Sequence, residues 1–172
     1  MSTMPIVDLL AEGEKLARSG KRVSVLWQHD DILAFVARGR EYRSEFHINP
    51  SDETMQMIKG EMRLHYRTPE GKEEIAVVAE GALIYTPAGT PHSPRFAPDA
   101  YVLISERKRR PGEIDKFHWY CAKCDTLLHE EQFVVDDYTK DPVSKAYRRF
   151  FASEAFRTCK KCGDVMPVPD AR

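Results

Sequence analysis

The four cysteines of this chain form two Cys-x-x-Cys pairs, and no other feature constrains its fold as strongly. The pairs are Cys121 with Cys124 and Cys159 with Cys162, and 34 residues lie between them. Four thiolates in two such pairs commonly close a tetrahedral site around Zn or Fe, with no open position for a substrate. The sequence therefore predicts a structural metal site that joins two distant segments. The four thiolate ligands alone do not decide between Zn and Fe.

The sequence also predicts that the protein is cytoplasmic. Residues 1–10 contain no basic segment followed by an apolar run, so we expect neither a signal peptide nor a membrane span. In the cytoplasm thiols stay reduced, which favours metal binding over disulfide bonds. The formal net charge of −1 gives no overall attraction to nucleic acid or to an anionic membrane, and we expect neither as a partner.

Most of the chain before the cysteines consists of short β-prone segments separated by turns. Met62, Leu64 and Tyr66 alternate with basic residues, which predicts a half-buried strand, and residues 68–72 predict a hairpin turn to a return strand at 74–79. Many short strands with Gly- and Pro-containing turns favour an all-β fold, either a closed barrel or a sandwich. Further strands are predicted at 22–27, 31–37, 81–86 and 100–106.

Two short helices are predicted outside these strands. One begins at Pro5 and ends before Gly20, and the other lies near residues 141–151. Beyond Arg107 the chain becomes more polar and richer in turns. We therefore predict a barrel with its N-terminal helix over residues 1–110 and a small metal-binding extension over residues 111–172.

A second metal site is predicted within the β-rich part. His47, Glu53 and His92 supply two imidazoles and one carboxylate. If they converge, these side chains hold a metal on one face and leave the opposite face open, as in non-haem Fe(II) oxygenases. Glu53 shares one face of a strand with Met55 and Met57, so its carboxylate can point into the barrel.

The spacing of these residues resembles the two motifs of the cupin superfamily. The first motif here is His47-x-Asn49-x3-Glu53-x6-Gly60, and the second is Gly81-x5-Pro87-x-Gly89-x2-His92. The resemblance implies a small jelly-roll-like β-barrel that carries a metal in its mouth. A cupin typically uses three histidines and one glutamate, whereas Asn49 stands here in the second histidine position. A missing protein ligand frees a coordination position for a chelating substrate.

Beyond the barrel, the resemblance extends to a single family. The two cysteine pairs resemble rubredoxin or zinc-ribbon knuckles. The segments Glu106-Arg107-x-Arg109-Arg110-Pro111, Phe117-x-Trp119-Tyr120-Cys121-x-x-Cys124 and Phe151-Ala152-Ser153-Glu154 resemble the bacterial 3-hydroxyanthranilate 3,4-dioxygenases, as does Pro91-His92-Ser93-Pro94. The similarity runs from about Trp27 to the C-terminal region.

This resemblance implies an Fe(II) enzyme that opens an aminophenol ring with O2. The expected product, 2-amino-3-carboxymuconate semialdehyde, closes spontaneously to quinolinate, as in the kynurenine pathway. The expected iron ligands are His47, Glu53 and His92. Arg43 and Glu106 match catalytic and substrate-binding residues of the family, and the family suggests a homodimer.

One departure from the family concerns the substrate carboxylate. The family has a second substrate-binding arginine four residues after the His92 position, where this chain has Phe96. We expect the preceding Arg95 to bind substrate in its place. If this displacement rebuilds the carboxylate pocket, a positional isomer such as 4-amino-3-hydroxybenzoate becomes an alternative substrate.

Two other classes of function remain as alternatives. One is a non-catalytic cupin that binds a small ligand and uses its cysteine site for interactions. The other is a metal-dependent isomerase, although the absence of the cupin histidine at Asn49 favours a chelating substrate. The basic run Arg107–Arg110 could suggest nucleic acid, but without aromatic residues interleaved we expect a solvated surface.

Overall fold

A computed structural model describes residues 4–40, 42–139 and 142–169 of the chain. Within these residues it contains eleven strands and three helices. The helices are α1 (Leu9–Ser19), α2 (Pro142–Ala152) and α3 (Glu154–Arg157). The strands are β1 (Val23–His29), β2 (Ile32–Arg38), β3 (Phe46–Ile48), β4 (Glu53–Lys59), β5 (Met62–Arg67), β6 (Glu73–Val78), β7 (Leu83–Thr86), β8 (His92–Phe96), β9 (Tyr101–Arg107), β10 (Asp115–Tyr120) and β11 (Leu127–Phe133).

The strands form two antiparallel sheets that enclose one core. The five-stranded sheet has the order β1-β2-β9-β4-β7, and the six-stranded sheet has the order β11-β10-β3-β8-β5-β6. Met55 and Met57 of β4 pack between the sheets against Met62 and Leu64 of β5 and Val102 of β9. The predicted all-β barrel is therefore confirmed.

The predicted hairpin joins β5 to β6. Met62 and Leu64 are buried while Arg63 between them is exposed, as the alternation predicts. In the turn, the Thr68 amide donates to the Lys72 carbonyl at 2.9 Å, and Gly71 adopts a φ of +80°. A positive φ of this kind favours glycine, which explains the residue at this position.

The N-terminal helix is shorter than predicted. It begins at Leu9 because the side chain of Asp8 accepts a hydrogen bond from the Ala11 amide, which caps the first turn. It ends as predicted at Gly20, whose φ is +72°. Leu16 then packs on Val36 and Tyr101 and covers the five-stranded sheet.

The segment after the barrel adds to the six-stranded sheet. β10 pairs with β3 on one edge and with β11 on the other. α2 covers these strands, where the Trp119 ring stacks on Phe150 with centroids 4.4 Å apart. The helix predicted at 141–151 matches α2, although Asp141 lies outside the described residues. None of the helices in the described ranges is both long and apolar enough to cross a membrane.

Candidate active site

The sheets bring the predicted barrel ligands to one end of the barrel. His47 on β3 is the direct partner of His92 on β8, and their ring centroids are 5.5 Å apart. On the facing sheet, Glu53 at the start of β4 is the direct partner of Glu106 on β9. The two pairs of residues face a common cavity of about 170 Å³.

His92 is fixed in an orientation that suits metal binding. Its Nδ1 lies 2.9 Å from the Thr90 carbonyl oxygen. Because a carbonyl can only accept, Nδ1 carries a proton, and Nε2 is the ring nitrogen that a metal can bind. That Nε2 lies 3.2 Å from Glu53 Oε2. Burial alone would raise the pKa of Glu53, but the adjacent His92 imidazole holds that pKa below its ordinary value.

His47 has a different hydrogen-bond partner, which the sequence did not reveal. Its Nε2 lies 2.7 Å from Oδ2 of Asp115 on β10. Burial would raise the pKa of Asp115, but hydrogen bonds to His47 and Arg109 lower it. In β10 the buried residues alternate, with Asp115, Phe117 and Trp119 facing inward. This alternation was the available signal for an inward-pointing carboxylate.

Asn49 stands where a cupin typically has its second histidine, and it bridges two carboxylates. The side chain is buried, and its Nδ2 donates to Glu53 Oε2 at 3.3 Å and to Glu106 Oε2 at 3.1 Å. Burial, followed by the charge of Glu53, raises the pKa of Glu106, although Arg109 opposes this shift. The amide therefore connects a predicted metal ligand to a predicted substrate-binding residue.

Arg109 lies beneath the site rather than on the surface. Its side chain is 4% exposed, and Nη1 donates to Glu106 Oε2 at 2.7 Å. The prediction of a solvated basic run is therefore wrong for this residue. By contrast, Arg107 pairs with the surface residue Glu113, whose pKa falls to about 2 because of the Arg107 hydrogen bond.

The cavity has a charged end and apolar walls. Arg43 lines it, with its Nε 2.8 Å from Oε1 of the fully buried Glu45. Tyr147 in turn donates a hydrogen bond to Glu45. The walls are lined with apolar side chains, including Phe35, Pro94, Phe96, Ile104, Phe117 and Phe133.

The structure does not bring Arg95 to this cavity. On β8, Pro94 and Phe96 line the cavity, whereas Arg95 between them faces the other side of the sheet. There its Nη2 lies 4.0 Å from Glu73 Oε1, and its guanidinium lies 5.7 Å from the Phe46 ring centroid. The substrate-binding role of Arg95 stays a prediction that the geometry does not support.

The four cysteines meet at one point. Cys121 Sγ lies 3.6 Å from Cys162 Sγ, and Cys124 Sγ lies 3.5 Å from Cys159 Sγ. Across the described ranges, they form the one group of three or more His, Cys, Asp or Glu residues whose ligand atoms all lie within 4.8 Å of one another. His47, Glu53 and His92 therefore do not meet this spacing, and Nε2 of His47 is engaged by Asp115.

Each cysteine pair lies in a tight turn. The Asp125 amide donates to the Cys121 carbonyl at 2.8 Å, and the Gly163 amide donates to the Cys159 carbonyl at 2.9 Å. Hydrogen bonds from Thr126 lower the pKa of Cys124 to about 6. For Cys162 the Asp164 amide lowers the pKa, but burial and the neighbouring thiols raise it to about 12. Four converging thiols are a donor set suited to Zn or Fe.

Two antiparallel sheets around a cavity, with His and Glu donors at its end, define a cupin-type barrel. A model of the family described as 3-hydroxyanthranilic acid dioxygenase matches residues 10–151. The chain therefore belongs to this family and is a ring-cleaving dioxygenase.

Curated relatives of this family are similar over most of the chain. A 3-hydroxyanthranilate 3,4-dioxygenase of Bacillus cereus (strain ATCC 10987 / NRS 248) is 34% identical over 97% of this chain and 93% of that protein. The enzyme of the same name from Shewanella woodyi is 34% identical over 83% of this chain and 75% of that protein. The enzyme of the same name from Neurospora crassa is 35% identical over 82% of this chain and 79% of that protein.

Proposed function

We propose that this protein opens the ring of 3-hydroxyanthranilate with O2 in an Fe(II)-dependent reaction, forming 2-amino-3-carboxymuconate semialdehyde. The observation that carries the proposal is the convergence of His47, Glu53, His92 and Glu106 on one cavity that Arg43 also lines. The reaction adds both oxygen atoms of O2 to the substrate, so no external reductant is needed.

The donor types of this set suit Fe(II), although the ligand atoms of all three residues do not lie within 4.8 Å of one another in this structure. His92 keeps its Nε2 lone pair available because Nδ1 donates to Thr90, and Glu53 Oε2 lies beside that nitrogen. His47 completes a set of two imidazoles and one carboxylate, which is the ligand combination of non-haem Fe(II) oxygenases. Asp115 holds Nε2 of His47, so Nδ1 would be the nitrogen that binds the metal, and an outer carboxylate of this kind commonly orients a ligating imidazole. When bound, Fe(II) would hold the aminophenol and O2 and would conduct electrons from one to the other.

Two charged residues have proposed roles on the substrate. Arg43 binds the carboxylate, because a guanidinium donates two parallel hydrogen bonds to a planar anion. Glu106, whose burial raises its pKa, accepts the proton that the substrate hydroxyl or amine loses. Phe35, Ile104 and Phe117 exclude water from the ring.

The cysteine site has a structural role in this proposal. Cys121, Cys124, Cys159 and Cys162 hold a second Fe or a Zn, a closed site without an open position. We also propose a cytoplasmic location, where the thiols remain reduced, and a homodimer as in the family.

Oxygen uptake tests the proposal. The protein is loaded with Fe(II) and given 3-hydroxyanthranilate, and the product mass is checked for the addition of two oxygen atoms. We expect rapid uptake by the wild type and none by Glu53→Ala or His92→Ala. No uptake by wild-type protein that holds barrel iron would refute the proposal. A non-catalytic binding module would keep its ligand affinity in Glu53→Ala.

A second candidate substrate is 4-amino-3-hydroxybenzoate. The position of Arg95 outside the cavity and of Phe96 within it favours this isomer, because the β8 wall offers an aromatic ring where a carboxylate would need a cation. Both substrates are therefore assayed side by side. Uptake with only the second would keep the ring-cleavage chemistry and reassign the substrate.

A further inference from the structure

One buried arginine connects the two halves of the candidate active site. Nε and Nη2 of Arg109 donate to Oδ1 and Oδ2 of Asp115 at 2.6 and 2.8 Å, a bidentate pair. Nη1 of the same guanidinium donates to Glu106 Oε2 at 2.7 Å and to Ser51 Oγ at 3.1 Å. A single side chain thus fixes two carboxylates by charge-assisted hydrogen bonds.

Each of these carboxylates is linked to a predicted metal ligand, Asp115 directly and Glu106 through Asn49. Asp115 Oδ2 lies 2.7 Å from His47 Nε2. Glu106 Oε2 accepts from Asn49, whose amide also donates to Glu53. A continuous series of hydrogen bonds and ion pairs therefore runs through His47, Asp115, Arg109, Glu106, Asn49 and Glu53.

Stability alone does not explain why a cation lies here. Burial of an ion pair costs desolvation energy that its attraction often fails to exceed, so a buried pair is weak evidence for a stabilising role. Arg107, two residues earlier on β9, satisfies its charge at the surface with Glu113 instead. Burial would lower the pKa of Arg109, but Asp115 and Glu106 hold it above its ordinary value. The guanidinium therefore remains charged beneath the site.

We propose that Arg109 is a positioning residue: it fixes Asp115, which holds Nε2 of His47 and leaves Nδ1 of that ring for the metal, and it holds Glu106 towards the substrate. The inference rests on the proposed function of the barrel site and adds a determinant of metal affinity to it. Carboxylates that orient a ligating histidine typically contribute a factor of about 10–100 to metal affinity or activity.

Mn(II) titration followed by electron paramagnetic resonance tests this role without turnover. Mn(II) prefers oxygen and imidazole donors, so the thiolate site does not compete for it. We expect Arg109→Lys to raise the Kd for Mn(II) by roughly tenfold to a hundredfold, because lysine cannot replace the bidentate fork. The matched control Arg107→Lys, two residues earlier at the end of β9, should change the Kd by less than about twofold.

Steady-state kinetics supply a second readout. With saturating Fe(II), Arg109→Lys should lower kcat more than it raises KM, since Arg43 still binds the carboxylate. A mere loss of stability would lower the active fraction and leave the Kd of the folded protein unchanged. An Mn(II) Kd equal to that of the wild type would overturn the inference.

Asp115→Asn is a second variant that tests the same inference if Arg109→Lys does not fold. This isosteric change removes the charge that orients His47, and it should weaken Mn(II) binding to a similar extent. If Asp115 instead competes with the metal for His47, the same variant would bind Mn(II) more tightly, and the inference would be wrong. If His92→Ala bound Mn(II) as tightly as the wild type, the proposed function of the barrel site would be refuted. This result is distinct from an unchanged Kd in Arg109→Lys, which would overturn only the role of Arg109.

Discussion

The guanidinium of Arg67 lies 3.7 Å from the centroid of the Tyr120 ring, and this contact joins the barrel to the cysteine site. Tyr120 ends β10 and immediately precedes Cys121. The same guanidinium pairs with Asp125, which follows Cys124, and donates to the Gly71 carbonyl at 2.5 Å. Arg67 therefore holds both sides of the first Cys-x-x-Cys turn against the hairpin of β5 and β6.

Replacing Arg67 should destabilise the protein through this contact. We expect Arg67→Met to lower the free energy of unfolding by about 2 kcal/mol, because the buried guanidinium that stacks on Tyr120 and pairs with Asp125 is lost. Asp125 is partly exposed and stays solvated, which limits the loss. Urea denaturation measures the change. Arg63→Met, on the exposed face of the same strand, should stay within about 0.5 kcal/mol of the wild type. Equal effects of the two variants would contradict the role of Arg67.

The thiols of the cysteine site should differ in reactivity when metal is removed. Because the thiolate is the nucleophile, a thiol with a lowered pKa reacts at lower pH. Alkylation of Cys124, with a pKa of about 6, should rise with pH through that value and level off above neutrality. Alkylation of Cys162, with a pKa of about 12, should still be rising at pH 10.

Peptide mass spectrometry after timed alkylation at pH 7 measures this contrast. We expect Cys124 to react on the order of a hundredfold faster than Cys162, since its larger thiolate fraction outweighs its lower intrinsic nucleophilicity. Thr126→Val removes a hydroxyl hydrogen bond from the Cys124 thiolate and should shift its pH profile upward. Equal rates at the two cysteines would disprove the assignment.

The two arginines predicted to bind substrate should respond differently to substitution. Arg43 lines the cavity and Arg95 does not, so Arg43→Lys should raise KM by roughly tenfold through loss of bidentate recognition. Arg95→Lys should change KM by less than about twofold. Lysine preserves the charge that faces Glu45, which keeps the comparison free of an unpaired buried carboxylate. A larger effect at Arg95 would show that β8 presents that side chain to the substrate in solution.

Asn49→His should separate metal binding from catalysis. The change restores the histidine that a cupin typically has at this position, next to Glu53. A further imidazole should keep or strengthen Mn(II) binding while it occupies the position that the chelating substrate needs, so oxygen uptake should fall by at least tenfold. Asn49→Gln controls for the larger side chain. Full activity with tighter metal binding would contradict the need for an open position.

Local patterns in the sequence identified most of the elements. Alternation around Met62 predicted β5, and Gly20 and Gly71 marked the end of a helix and a turn. These features depend on neighbours in the chain. By contrast, the hydrogen bond between Asp115 and His47 joins residues 68 positions apart, and no local spacing predicts it.

Side-chain direction was the second limit. The sequence placed Arg95 one residue before the position of the family's arginine, but it did not show whether this position lies in a strand or in a loop. Because β8 includes residues 92–96, alternation places Arg95 on the opposite face from His92. Likewise, the composition of the basic run around Arg109 gave no reason to separate this buried side chain from the half-buried Arg107 and the exposed Arg110. The partners of Arg109 come from β10 and the segment after β3, which only the folded topology supplies.

The wide separation of the two cysteine pairs has a consequence for the order of assembly during synthesis. All eleven strands in the described ranges precede Cys159, so every strand is synthesised before the second half of the cysteine site. Until Cys159 and Cys162 are added, Cys121 and Cys124 form half of the cysteine cluster, in the turn between β10 and β11. If the cysteine site binds metal as proposed, this binding would come after the strands are synthesised and would fasten α2 and α3 over them.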